Sequence, residues 1–73
     1  MTGHGVVISI IGGEIKVQDE NGNIYTLHIG VCSKLLGPNS SFAPSIGDVV
    51  DWNGKPLTAN IYNVYRAIFY SLK

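Results

Sequence analysis

Residues 14 to 29 read EIKVQDENGNIYTLHI, and this stretch decides the fold. Glu14 to Asp19 alternates, with Ile15 and Val17 on one face and Glu14, Lys16 and Gln18 on the other. That period of two is the pattern of a half-buried strand. Asp19-Glu20-Asn21-Gly22 is the strongest turn signal in the chain. Two hairpins are compatible with it. A two-residue turn at Asn21-Gly22 pairs Glu20 with Asn23 and sends Tyr25 and Leu27 to the polar face. A type I turn with Gly22 in the left-handed bulge position pairs Asp19 with Asn23, so Val17 meets Tyr25 and Ile15 meets Leu27. A one-residue slip moves every side chain to the other face, so the apolar pattern selects the bulged turn. The next strand is then Ile24 to Ile29, with Tyr25, Leu27 and Ile29 inward and Thr26 and His28 outward.

Toward the N-terminus, Val6 to Ile11 is nearly continuously apolar, which suits a strand buried on both faces or curled into a barrel. Gly12-Gly13 breaks it from the hairpin. Met1 to Gly5 reads as native, as a disordered end or as a non-native addition, and it lacks the basic-then-apolar order of a signal peptide. Toward the C-terminus, Gly30 to Ile46 is a long connection. Val31 to Leu36 is expected to form one or two helical turns stopped by Gly37-Pro38, and Asn39 to Ser45 reads as loop. Gly47-Asp48 turns the chain into Val49-Val50-Asp51-Trp52, with Val50 and Trp52 the inward pair. Asn53-Gly54-Lys55-Pro56 reads as a further turn.

Asn60 to Tyr70 supports two readings. Ile61, Val64, Tyr65, Ile68, Phe69 and Leu72 recur at helical spacing, yet the residue types are poor helix formers. Intrinsic preference and the surrounding β pattern favour a strand. Strict alternation puts Tyr62, Val64, Ile68 and Tyr70 on one side and Ile61, Tyr65, Ala67 and Phe69 on the other. Both sides are apolar.

Composition agrees with β structure: 19 of 73 residues are Ile, Val or Thr. One small domain of this length buries about 60% of its unfolded surface. Apolar residues make up 45% of the chain, which excludes disorder, and charged residues only 14%, which leaves surface for a partner to cover. The one Cys excludes a disulfide framework, and no apolar run is long enough to span a membrane as a helix. The sequence assigns no compartment.

Three strands in a meander, a long connection and two more strands: this order resembles the oligonucleotide/oligosaccharide-binding (OB) fold, a small five-stranded, partly open barrel. The resemblance rests on the Gly12-Gly13 break, the Asp19 to Gly22 hairpin and Ile46-Gly47-Asp48-Val49-Val50-Asp51-Trp52, and covers about Gly5 to Tyr70. It is a likeness of fold, not of family. The expected class is all-β, an OB-like barrel with a short helix between strands three and four. An SH3-like barrel, or a sheet with a C-terminal amphipathic helix, is the competing architecture.

Few residues point to chemistry. His28, Cys32 and His4 supply at most three ligands where a zinc site takes four, and no oriented acid completes a Cys/His pair. Cys32 is expected to pack as a small apolar side chain. Asp19 and Asp48 read as turn formers, and Asp51 alternates outward beside Trp52. We therefore expect no enzyme, no metal and no cofactor. The resemblance to the OB fold implies a binding face on strands two and three. Lys16, Gln18, Tyr25, His28 and Trp52 are its candidate ligand residues, for single-stranded nucleic acid or oligosaccharide. Five cations against five anions disfavour nucleic acid, whose binding is dominated by phosphate neutralisation. The favoured expectation is a non-catalytic binding or assembly module that packs on a protein partner or on a second copy, with Tyr62, Tyr65, Phe69 and Tyr70 as the interface.

Overall fold

The computed structural model describes residues 1–37 and 44–71. Six strands are present in chain order: β1 Thr2–Ile11, β2 Glu14–Gln18, β3 Ile24–His28, β4 Lys34–Leu36, β5 Val49–Thr58 and β6 Ile61–Tyr70. The sheet runs β3-β2-β1-β5-β6-β4 and closes through a second pairing between β3 and β6. Five strands thus form a small closed barrel and β4 is added beside β6. β1 pairs antiparallel with both β2 and β5, while β3 joins β6 in parallel. This connectivity is consistent with the OB-like barrel expected from the sequence.

The hairpin forms in the bulged register. Val17 pairs with Tyr25 and Ile15 with Leu27. The Asp19 amide donates to the Asn23 carbonyl at 2.9 Å, the Gly22 amide donates to the Asp19 carbonyl at 3.1 Å, and Gly22 sits at φ 86°. The Asp19 carboxylate organises the turn. It accepts the Asn21 and Asn23 amides, both at 2.9 Å, the Asn23 side-chain amide at 3.3 Å and the Tyr25 hydroxyl at 3.4 Å. Desolvation pushes this carboxyl up, but the donors from Asn23, Asn21 and Tyr25 outweigh it and hold the group below its ordinary value.

A carboxyl lowered on folding adds stability above its unfolded pKa of about 3.9, and that stability disappears as pH falls through the folded value. Wild type is therefore expected to lose more urea resistance than Asp19→Asn between pH 6 and the strongly acid range. The two unfolding midpoints should converge at the acid end, and parallel pH profiles would refute the role given to this carboxylate.

The core is the inner lining of the barrel: Val7, Ile15, Val17, Leu27, Val50, Trp52, Tyr62, Val64, Ala67 and Phe69, with Ile10, Tyr25, Ile29 and Leu35 packed against it. Two β-bulges reconcile this lining with the continuous apolar runs. In β1 the register with β2 shifts between Val7 and Ser9, so Val7 and Ile10 both point inward. In β6 the residues opposite Asn53 and Gly54 are Arg66 and Val64, which leaves Tyr65 as the extra residue. Val64 and Ala67 are consequently both buried while Tyr65 and Arg66 are both exposed. Bulges sharpen the local bend of a strand, which a barrel this small requires.

Several expectations are corrected. Thr2 to Gly5 are the first four residues of β1, which pairs with β5 from Thr2↔Asn53 to Val6↔Val49. Val31 to Leu36 is not helical. Lys34–Leu36 is β4, because β6 offers an open edge there and Leu35 gains core contact beside Ala67. Asn53 to Pro56 is not a turn, since β5 runs straight through it to Thr58. Gly54 is instead an inward position with no room for a side chain: a Cβ there would lie 2.5 Å from the Asn63 carbonyl oxygen. Pro56 is tolerated because β1 pairing ends at Asn53, so its missing N–H faces no partner strand. The chain turns at Ala59-Asn60, with Asn60 at φ 66°. The last segment is the strand β6, but strict alternation fails at its bulge. Residues 39–43 of the expected loop, and Leu72 of the helical stripe, lie outside the described residues.

β6 also shows how one edge is shared. β3 occupies Ile61 to Asn63 and β4 occupies Arg66 to Ile68. In the gap between them the Ser33 hydroxyl donates to the Val64 carbonyl at 2.5 Å and accepts the Gly30 amide at 3.0 Å.

Candidate functional site

The residues expected to bind separate between inside and outside. Lys16, Gln18 and His28 are exposed on the outer face of β2 and β3, whereas Tyr25 is half-buried and Trp52 fully buried. Their rings meet inside the barrel together with Tyr62. Trp52 and Tyr62 centroids lie 4.8 Å apart, and Tyr25 is 6.0 Å from each. Trp52 packs over Gly3, where a Cβ would lie 2.3 Å from the indole carbons, so glycine is what admits the ring. The Tyr25 hydroxyl has a raised pKa, first from desolvation and then from the Asp19 charge beside it. Tyr25 and Trp52 are thus parts of the hydrophobic filling.

The four interface candidates divide in the same way. Tyr62 and Phe69 belong to the core, at 8% and 1% exposure, while Tyr65 and Tyr70 stand out at 54% and 47%. The physical reason is the bulge, which turns Phe69 inward and Tyr70 outward.

The outward side chains of β1, β5, β6 and β4 form rows set by register. Val6, Val49 and Tyr70 make one row. His4, Asp51, Ile68 and Leu36 make the next. Thr2, Asn53, Arg66 and Lys34 make the third. A shallow groove of about 610 Å³ lies over the second and third rows, lined by Thr2, His4, Asp51, Asn53, Arg66 and Ile68 among others. Within it the His4 Nδ1 is hydrogen-bonded to the Asp51 carboxylate. On the opposite outer face His28 Nδ1 lies 3.5 Å from a Glu14 oxygen. The His28–Glu14 pair follows from the β2–β3 register that the hairpin already sets, whereas the His4–Asp51 pair depends on the β1–β5 register, which no local signal gives. Among the described residues no three His, Cys, Asp or Glu side chains gather as metal ligands. Cys32 is exposed, not packed as an apolar side chain, because Val31-Cys32 is a surface turn leading into β4.

The outer rows were missed in the sequence because their apolar members sit at outward positions of strands whose alternation the bulges interrupt. Val6 with Tyr70 carries no sequence signal of adjacency. A scan against protein-family models finds none that matches this chain. A search of curated proteins finds no relative by sequence.

Proposed function

We propose that this chain is a non-catalytic assembly module that packs on a protein partner through the outer face of β1, β5 and β6. The observation that carries the reading is the apolar row Val6, Val49 and Tyr70, continued by Ile68 and Leu36. An outer strand face that meets water ordinarily carries polar side chains, and contiguous apolar surface marks interaction sites. Val6 and Tyr70 are 37% and 47% exposed, so this row is available to a partner. Tyr62 and Phe69 support the same surface from beneath as core residues. Binding of single-stranded nucleic acid or oligosaccharide on β2 and β3 draws no support from stacking rings, since Tyr25 and Trp52 are spent on the interior.

The reading is tested with a photo-crosslinking amino acid placed at position 68 or 70, and at positions 16 or 20 as controls, in the native cells. Protein adducts are expected at 68 and 70 and not at the controls. Equal labelling at all four positions would remove the reading. A concentration-dependent mass in light scattering that Tyr70→Glu abolishes would identify the partner as a second copy.

A further inference from the structure

Lys34 and Arg66 are the part of the outer face that the apolar row does not account for. β4 runs parallel to β6 with Lys34 in register with Arg66. Both point outward, since their neighbours Leu35 and Ala67 pack on the core. Like charges directly across a strand pair repel one another. Neither cation makes an ion pair among the described residues, and the carboxylate of this face, Asp51, is engaged by His4. Charge is scarce in this chain, yet two of its five cations stand side by side, unpaired among the described residues, with Asp51 in the next row. Ile68 and Tyr70 follow Arg66 at alternate positions of the same strand.

We propose that this face receives an acidic, amphipathic segment of a partner protein, with its carboxylate on Lys34 and Arg66 and its apolar side chains on Ile68 and Tyr70. The proposal rests on the docking reading above and specifies its partner. A guanidinium takes a carboxylate through two parallel hydrogen bonds, and the neighbouring ammonium adds a point charge. Same-face positions of an extended chain repeat every ~6.8 Å, so a partner reading carboxylate-x-apolar-x-apolar matches Arg66, Ile68 and Tyr70 in step. Charge complementarity of this kind sets specificity and association rate, and its effect falls with salt.

The experiment titrates the isotope-labelled chain with Glu-Ser-Val-Ser-Leu and with Lys-Ser-Val-Ser-Leu, both blocked at the ends, up to millimolar concentration. The glutamate peptide is expected to shift the amide signals around Lys34, Arg66, Ile68 and Tyr70, and the lysine peptide to bind roughly tenfold more weakly, as two exposed charge contacts allow. In the Lys34→Glu/Arg66→Glu double variant the preference should invert. Both changes are on the surface, and an unaltered amide spectrum elsewhere verifies the fold. Equal response to both peptides, no response to the glutamate peptide, or an equally strong response to a short oligonucleotide overturns the proposal. If the photo-crosslinks at 68 and 70 persist while the charge swap has no effect, docking stands and its acidic specificity falls. If the crosslinks are absent as well, the docking reading has failed first.

Discussion

Phe69→Ala is expected to leave the chain largely unfolded at 37 °C, while Tyr70→Ala next to it should barely move the melting curve. Phe69 is 1% exposed and is among the largest fully buried side chains. Truncating a buried Phe costs about 3–5 kcal/mol, from lost transfer energy and the cavity left behind. A chain of this length has roughly 4–11 kcal/mol in total at ordinary stability per residue. Each kcal/mol lowers Tm by about 4–8 °C in a domain this size. Tyr70, half-exposed on the outer face, should change stability by less than about 0.5 kcal/mol. Thermal unfolding followed by far-UV circular dichroism separates the two variants. Similar losses for both would mean that the bulge does not divide them between core and surface.

Gly54→Ala should be the most damaging addition of a single carbon. The new Cβ would lie 2.5 Å from the Asn63 carbonyl oxygen and 3.3 Å from the Val64 Cα, both backbone, so no side chain can swing aside. Relief requires β5 and β6 to move apart where they pair across the bulge. Overpacking of this kind costs about 1–3 kcal/mol and more where backbone must shift. Gly30→Ala is the control, since nothing lies within 4 Å of its Cβ position and it should be neutral or slightly stabilising. Urea midpoints measure the difference directly. A Gly54→Ala midpoint equal to that of Gly30→Ala would show that the β5–β6 spacing is loose.

What was legible in the sequence was whatever a local rule controls. The register of β2 against β3 followed from two alternating runs and one turn, and Val50 and Trp52 were readable as an inward pair by the same period. Asp19 and Asp48 declared themselves by residue type, and Asp48 indeed accepts the Ser45 amide at 2.9 Å. Most of the errors depend on contacts distant in sequence. Lys34-Leu35-Leu36 looks helical until β6 supplies an edge for it. Gly54 looks like a turn until Asn63 is seen to occupy the space a side chain would need. Tyr62 and Phe69 fall on opposite faces of an alternating strand until the bulge at Tyr65 puts Phe69 on the inner side with Tyr62. The outer face was legible only in outline: apolar side chains on both sides of residues 60–70 pointed to that strand, but its neighbours Val6, Val49 and Lys34 come from three other strands. No periodicity connects them.

The two bulges also decide where the chain can change length. Losing or gaining one residue in a strand inverts the parity of everything beyond it, so a deletion in β2 would turn Val17 out of the barrel. β1 and β6 each carry one residue more than parity needs, around Ile8 and at Tyr65-Arg66. Removing Tyr65 restores simple alternation with Val64, Ala67 and Phe69 still facing inward. The core therefore places no demand on the identity of the residues in that slack. Arg66 occupies it, at the edge of the proposed docking face, where its charge can be exchanged without repacking the barrel.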